Sequence, residues 1–296
     1  MSPQEFKDSY MSRVKFDYQR EALQSFLDLT VRLTVRCTSQ DRPDDDDMAG
    51  DRGTDKVRVG TGCIWYVRGP NYNRPCFCRN CNGKKTRKQW RFQIATAKHV
   101  VYNTEEAKQT KIDLFYDDDS CRKDGRMKSL WGLSVKMELR YPDRDVCNVL
   151  CVTCDEDLGE RIKSAWFCRS NNVNRHNSPG LGLQPSCDKD SHLVLIASHP
   201  HGQPKKITMG YRRYTYRNPR VEYNTPTCPG SSGAPVFGFY TDGYFWWFAP
   251  VHSGSLGTGT TFTKRNHKLN FFKKLFYKHV GQKTAHEQLN FGFEWW

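Results

Sequence analysis

The sequence predicts an all-β body with an amphipathic helix at each end. From Leu29 onward, short segments rich in β-branched and aromatic residues follow one another: LTVRLTVRC, VRVGTGCIWYVRG (57–69), WRFQIATAKHVVYN (90–103), KIDLFY, LSVKMELRY, NVLCVTC, HLVLIASH, ITMGYRRYTY, PVFGFY and YFWWFAPVHSGS. Turn residues separate them at regular spacing, the pattern of a barrel or sandwich rather than of parallel βαβ units. Ahead of them, Phe6, Tyr10, Val14 and Tyr18 lie four apart and Leu23, Phe26 and Leu27 continue the stripe, which predicts a helix over 3–28 lying on something larger. Behind them, HKLNFFKKLFYKH (267–279) places Leu269, Phe272, Leu275 and Phe276 at helical spacing and predicts a second docked helix.

The divisions expected on this pattern are an N-terminal helical extension (1–28), a first β unit (29–164) with a Cys-rich basic insertion (70–91), a second β unit (165–266), and a C-terminal helix and tail (267–296). The stretch FCRSNNVNRHNSPGLGLQPSC, around 165–190, reads as the connection between the two units. DRPDDDDMAGDRG (41–53) reads as a solvated loop, because like charges repel, with a metal-binding loop as the alternative.

Composition narrows the function classes. With 296 residues, 37% apolar and 13% aromatic, the chain can build a sizeable core. No apolar run approaches the ~18 residues of a membrane span, and the first residues lack the basic-then-apolar secretory pattern, so an intracellular, cytoplasmic protein is expected. In such a compartment the 12 cysteines are expected as thiols or metal ligands rather than as a disulfide framework. The net charge of +14 is uneven: residues 70–100 carry eight Lys or Arg and no acid. A skewed basic surface fits an anionic partner without naming one.

Chemistry concentrates at TCPGSSGAPV (227–236), where two serines sit between Gly230 and Gly233. Glycines there admit positive φ and close backbone approach, so N–H groups and a hydroxyl can converge on one point; a plain surface turn has the same composition. A serine hydroxyl needs a neighbouring base, itself held by a third group. ATAKHVV resembles the T-A-x-H signature around the general base of chymotrypsin-class serine proteases, and PGSSGAPV resembles their G-x-S-G-x-P signature around the nucleophile. The resemblance spans roughly residues 30–265 and implies a chymotrypsin-like double β-barrel. It assigns His99 as general base, Ser232 as nucleophile, and the N–H groups of Gly230 and Ser232 as the oxyanion hole. Chain order in that class places an aspartate between them. Asp145, entering the apolar strand of YPDRDVCNVLCV, fits best, with Asp143 as runner-up and Asp155 or Asp157 behind it. The activity implied is a serine endopeptidase acting on peptide or protein substrates, and that chemistry requires no cofactor.

The same resemblance places Pro226, Thr227, His252, Ser253 and Gly254 around the substrate pocket. SHPHGQPKKITMG (198–210) is similar to the turn and strand that open the second barrel, which makes His199 and His201 structural rather than a metal pair. Pro226 stands where trypsin-like members carry Asp, which disfavours cleavage after Lys or Arg. His252 is similar to the histidine that glutamyl endopeptidases and viral chymotrypsin-like proteases use to bind Glu or Gln at P1, the residue before the cut; a satisfied structural histidine is the alternative. Departures from the family are equally specific. Val100 follows the base where secreted members have a cysteine, and Cys228 is the last cysteine, so its usual partner does not exist. Ser231 replaces the aspartate that pairs with a cleaved N-terminus, so activation by propeptide cleavage is not expected, and the N-terminal helix is a candidate cover over the site.

CFCRNCNGKKTRKQWR (76–91) holds Cys76, Cys78 and Cys81 beside a basic run. Zinc takes four N or S ligands. Three are present, and Cys63, Cys121 or a histidine is the expected fourth; Cys147, Cys151 and Cys154 read as core. Free thiols are the alternative. Two rivals to the protease reading stay open: a catalytically silent scaffold on the same fold, and a zinc-stabilised nucleic-acid binder.

Overall fold

A computed structural model describes residues 1–14, 17–136, 144–176, 193–213, 220–239, 245–246, 251–258 and 288–293. The expected C-terminal helix (267–279), Asp143 and most of the 165–190 connection lie outside the described residues. Among the described residues are four α-helices, α1 (Pro3–Ser9), α2 (Asp17–Asp28), α3 (Thr104–Lys108) and α4 (Glu156–His176). Six strands close a barrel in the order β1-β2-β3-β6-β5-β4: β1 (Thr30–Val35), β2 (Arg58–Pro75), β3 (Lys85–Thr96), β4 (Thr110–Leu114), β5 (Lys128–Lys136) and β6 (Cys147–Thr153). Every pair is antiparallel, and the β1–β4 and β3–β6 pairs bring together strands far apart in the chain.

The second unit is a seven-stranded sheet in the order β11-β10-β7-β8-β9-β13-β12. Its strands are β7 (Leu193–Ser198), β8 (Lys206–Arg213), β9 (Arg220–Tyr223), β10 (Val236–Phe239), β11 (Phe245–Trp246), β12 (Val251–Thr258) and β13 (Gln288–Phe293). A single bridge, Pro235 to Val251, joins the start of β10 to β12. Among the described residues the first unit is a closed barrel and the second a sheet whose β10 side meets β12 at this bridge.

Three elements differ from the sequence expectation. The N-terminal stripe forms two helices, α1 and α2, with a 3₁₀ turn at Met11–Arg13 between them, instead of one rod. Ser2 caps α1 in a capping box with Glu5, and Pro3 pre-sets its first turn. These helices are core rather than cover: Phe6, Tyr10, Met11, Val14, Leu23, Phe26 and Leu27 pack on Leu195, Ala197, Ile207 and Phe237 of the second sheet. Met1 adds a backbone hydrogen bond in each direction with Ile207, at 2.8 and 3.0 Å.

Second, α4 occupies the start of the expected connection and straddles the expected boundary at 164/165. The Asp155 carboxylate accepts from Leu158 N–H at 3.0 Å as its cap, Glu156 and Asp157 sit in the first turn, and Leu158 and Ile162 enter the barrel core. Third, part of the expected C-terminal tail is β13, inserted between β9 and β12.

Two buried cations join the units. Arg32 in β1 bonds Asp113 of β4 at 2.6 and 3.0 Å and reaches Gly202 O at 2.7 Å. Lys205 donates to Leu27 O at 2.7 Å and to Asp117 at 2.8 Å. The aspartate loop is likewise anchored rather than simply solvated. Buried Arg42 bonds Asp46 within it and Glu106 of α3 outside it.

Candidate active site

The His99 side chain is placed by β3, which ends at Thr96, and by the tight turn that follows. Val100 and Val101 N–H both bond Ala97 O, at 3.0 and 3.3 Å, and bury their side chains in the barrel core. His99 itself stays half-exposed. The turn is held from behind by a buried network. Arg42 donates to His99 O at 3.1 Å and to Glu106 at 2.7 and 2.8 Å, while Arg58 also bonds Glu106 and reaches Val100 O at 3.0 Å. Burial alone would raise the Glu106 carboxyl, but bonds from Arg42, Ser39 N–H and Tyr102 N–H hold it below the ordinary value.

Asp145 lies two residues before β6, whose Cys147 pairs with Thr96 of β3. That register sets the aspartate beside the histidine. Asp145 Oδ2 is 2.7 Å from His99 Nδ1, and Oδ1 accepts His99 N–H at 2.9 Å. A carboxylate only accepts, so Nδ1 carries the proton and the Nε2 lone pair is left as a base. Ser253 Oγ also donates to Asp145 Oδ2. Burial would raise the Asp145 carboxyl, and the bonds from His99 and Ser253 outweigh it and hold it below the ordinary range. Of the rival aspartates, Asp143 lies outside the described residues, Asp155 caps α4 and Asp157 is exposed in its first turn.

The turn that carries Ser232 is locked to the barrel by Thr61 of β2. Thr61 N–H donates to Ser232 O at 2.8 Å, its hydroxyl donates to Gly230 O at 2.8 Å, and Thr96 Oγ1 donates to Thr61 O at 2.7 Å. Gly230 and Gly233 have φ of +94° and +85°. A Cβ on Gly233 would lie 2.1 Å from Thr61 O and 3.0 Å from Ala97 N, and one on Gly230 2.7 Å from His199 O. Both the dihedral and the space therefore demand glycine. The same contacts put the turn against the residues that lead into His99.

Four successive N–H groups of this turn have distinct fates. Ser231 N–H bonds Cys228 O at 2.9 Å and Gly233 N–H bonds His252 O at 2.7 Å. Gly230 and Ser232 N–H have no acceptor among the described residues. The preceding Pro229 carbonyl is pinned by His201 N–H at 2.6 Å, which fixes the 229–230 peptide plane and turns the Gly230 N–H the other way. His201 adopts φ +53° in the 3₁₀ turn Pro200–Gly202 to do so. Ser231 is fully buried, its hydroxyl 3.1 Å from that of Ser198, and Ser232 is the partly exposed member of the pair. Among the described residues Ser232 Oγ makes no hydrogen bond.

β12 runs beside the turn: His252 N–H donates to Ala234 O at 2.9 Å while His252 O accepts from Gly233. The His252 ring is buried, with Nδ1 2.7 Å from the hydroxyl of fully buried Tyr223. Burial pushes the Tyr223 phenol well above its ordinary value, so it stays protonated. Ser253 turns its hydroxyl to Asp145, and Gly254 follows it on the strand. Pro226 is exposed and Thr227 half-buried just before the turn.

His199 and His201 form no metal pair. His199 is buried, stacked on Tyr116 with ring centroids 6.0 Å apart, and donates from Nδ1 to Gln203 O at 3.0 Å; His201 is exposed. The sequence gives no sign of Thr61, of the Pro229–His201 bond or of the Ser253–Asp145 bond. These depend on pairings between distant segments, and no local pattern encodes them.

The cysteine hairpin corrects the expected ligand set. The structure brings Cys154, not Cys63, Cys121 or a histidine, to Cys76, Cys78 and Cys81, with all four sulfurs within 4.8 Å of one another. Cys147 and Cys151 are core, as their fully buried places in β6 require.

No family profile matches the chain, and no curated protein matches it in sequence. Solved structures do resemble it. The inactive form of the Rv3671c protease aligns at TM-score 0.37 and 14% identity, over 79% of this chain and 82% of that one. The serine endoprotease from Yersinia pestis aligns at TM-score 0.38 and 14% identity, over 82% of this chain and 60% of that one.

Proposed function

We propose that the protein is a serine endopeptidase that cleaves peptide bonds through an acyl-enzyme on Ser232. The observation that carries this reading is the His99–Asp145 contact at 2.7 Å, made beside a turn whose Gly230 and Ser232 N–H groups have no acceptor among the described residues. In the proposed reaction His99 Nε2 takes the Ser232 hydroxyl proton as Oγ adds to the substrate carbonyl carbon. Charge passes to the carbonyl oxygen, which the Gly230 and Ser232 N–H groups receive, each such donor being worth roughly 3 kcal/mol. Collapse expels the amine, protonated by His99. Water then repeats the sequence on the acyl-enzyme, with His99 again as base. Asp145 holds the imidazole in the required tautomer and stabilises the imidazolium, and Ser253 holds Asp145.

The specificity proposed is Glu or Gln at P1, read by His252. In the tautomer this reading requires, the Tyr223 hydroxyl donates to His252 Nδ1 and the ring proton sits on Nε2, a donor suited to a side-chain carbonyl or carboxylate. A site built around such a bond rejects side chains that cannot accept it.

The test is labelling of purified protein with a fluorophosphonate probe, read by intact mass, beside Ser232→Ala. Labelling of the wild type that vanishes in the variant is expected. Unlabelled, well-folded wild type would overturn the reading and favour a silent scaffold. A peptide library would then show preferred cleavage after Glu or Gln, and His252→Leu would erase that preference by roughly 100-fold or more. Cleavage after apolar residues, unchanged by the substitution, would remove the proposed specificity.

A further inference from the structure

We propose that Cys76, Cys78, Cys81 and Cys154 bind one zinc ion, which clamps the tip of the β2–β3 hairpin to the end of β6. The sulfur geometry fits a tetrahedral thiolate site. Zn–S bonds of about 2.3 Å put neighbouring sulfurs about 3.8 Å apart. Cys154 Sγ lies 3.9 Å from Cys78 Sγ and 3.4 Å from Cys81 Sγ, and all four sulfurs fall within 4.8 Å of one another. A disulfide would need about 2.0 Å.

The backbone around the cluster is shaped as a ligand-bearing knuckle. Cys76 N–H bonds Lys84 O at 2.9 Å, Gly83 N–H bonds Cys76 O at 2.8 Å, and Cys78 O accepts from Cys81 and Asn82 at 3.1 and 3.0 Å. The chain turns back through Asn82 and Gly83, at φ +44° and +88°.

Two further observations support the inference. Each thiol loses its proton on binding, so a four-thiolate zinc centre carries a net charge of −2. The run that contains Arg74, Arg79, Lys84, Lys85 and Lys88 supplies compensating charge, and it therefore needs no nucleic acid to account for it. The site is also placed to hold structure rather than do chemistry. Along the β3–β6 pair, Trp90 faces Thr153 at the cysteine end and Thr96 faces Cys147 at the His99–Asp145 end. At about 3.3 Å per residue those ends are ~20 Å apart. Four protein ligands leave no open position for substrate.

The test is zinc content of the full chain, purified without chelator or metal-affinity resin, by mass spectrometry of the metal. One zinc per chain is expected, falling below a tenth in Cys81→Ser and Cys154→Ser and unchanged in Cys37→Ser. Because a ligand variant can fail to fold, wild type would also be stripped and reloaded with Co²⁺, where tetrahedral thiolate coordination gives intense charge-transfer and d–d absorption. Folded wild type that holds no zinc, gives no such cobalt spectrum and presents these thiols to a thiol reagent would overturn the proposal. So would a denatured, unreduced mass lower by two hydrogens, which would mean a disulfide.

Discussion

His99 and Asp145 illustrate how much depends on one proton. The 2.7 Å contact fixes which ring nitrogen is a base, and an amide in place of the carboxylate can favour the wrong tautomer. Asp145→Asn should therefore lower turnover about 10⁴-fold with the fold intact, checked by kcat beside circular dichroism. Ser253→Ala removes one hydrogen bond to that carboxylate and should cost roughly tenfold in kcat, about 1.4 kcal/mol, with little change in KM. Glu106 acts through packing instead. Its carboxylate is fully buried among Arg42, Arg58 and two backbone N–H groups, so Glu106→Ala would remove the carboxylate that buried Arg42 and half-buried Arg58 share. Breaking such a network costs about 3–5 kcal/mol, measurable as a fall in the urea midpoint. None of these partners is adjacent to His99 in sequence except through the 97–106 turn and helix.

At the scale of elements, the hydrophobic stripe at the N-terminus is legible, but its destination is not. Periodicity states that residues 3–28 are amphipathic; only the second sheet shows that they complete its core. Phe26 meets Phe237 with ring centroids 5.1 Å apart. Phe26→Ala should cost about 3–5 kcal/mol in urea unfolding, and deleting residues 1–14 should leave little folded protein rather than release a covered site. Soluble, fully active truncated protein would contradict this. The helix α4 is hard to read from the sequence because EDLGERIKSAWFCRSNN is rich in polar residues and offers a sparse apolar stripe of Leu158, Ile162 and Trp166. Its cap, Asp155, is its clearest start signal.

For the molecule as a whole, stability should fall steadily with acid. His199 is buried, and desolvation, helped by Lys205 nearby, lowers its pKa from 6.5 to about 3. The unfolded chain therefore binds a proton that the native ring refuses. The native state loses up to about 1.4 kcal/mol per pH unit from pH 6.5 down toward 3. Glu106, Asp113 and Asp145 have depressed folded values, so their contributions are full above the ordinary carboxylate range and disappear as pH falls through those lowered values. Urea midpoints between pH 7 and 4 should decline, and His199→Phe should flatten the upper part of the decline while lowering stability at pH 7. A flat profile in the wild type would mean that His199 protonates in the native state.

What the sequence by itself determined is what short-range physics can encode. Alternating apolar residues make strands, and Gly230 and Gly233 make a turn no other residue could adopt. T-A-x-H and G-x-S-G-x-P mark His99 and Ser232 as the residues of the proposed mechanism, and three cysteines close together in the hairpin mark three members of the proposed zinc site. The tertiary structure decided every partner that arrives from far along the chain. Cys154 reaches Cys81 across 73 positions, Ser253 reaches Asp145 across 108, and Thr61 meets Gly230 across 169. Strand register sets those meetings, and register follows from the hydrophobic pairing of whole sheets. A local motif can present a donor, but only a folded barrel can bring the acceptor to it.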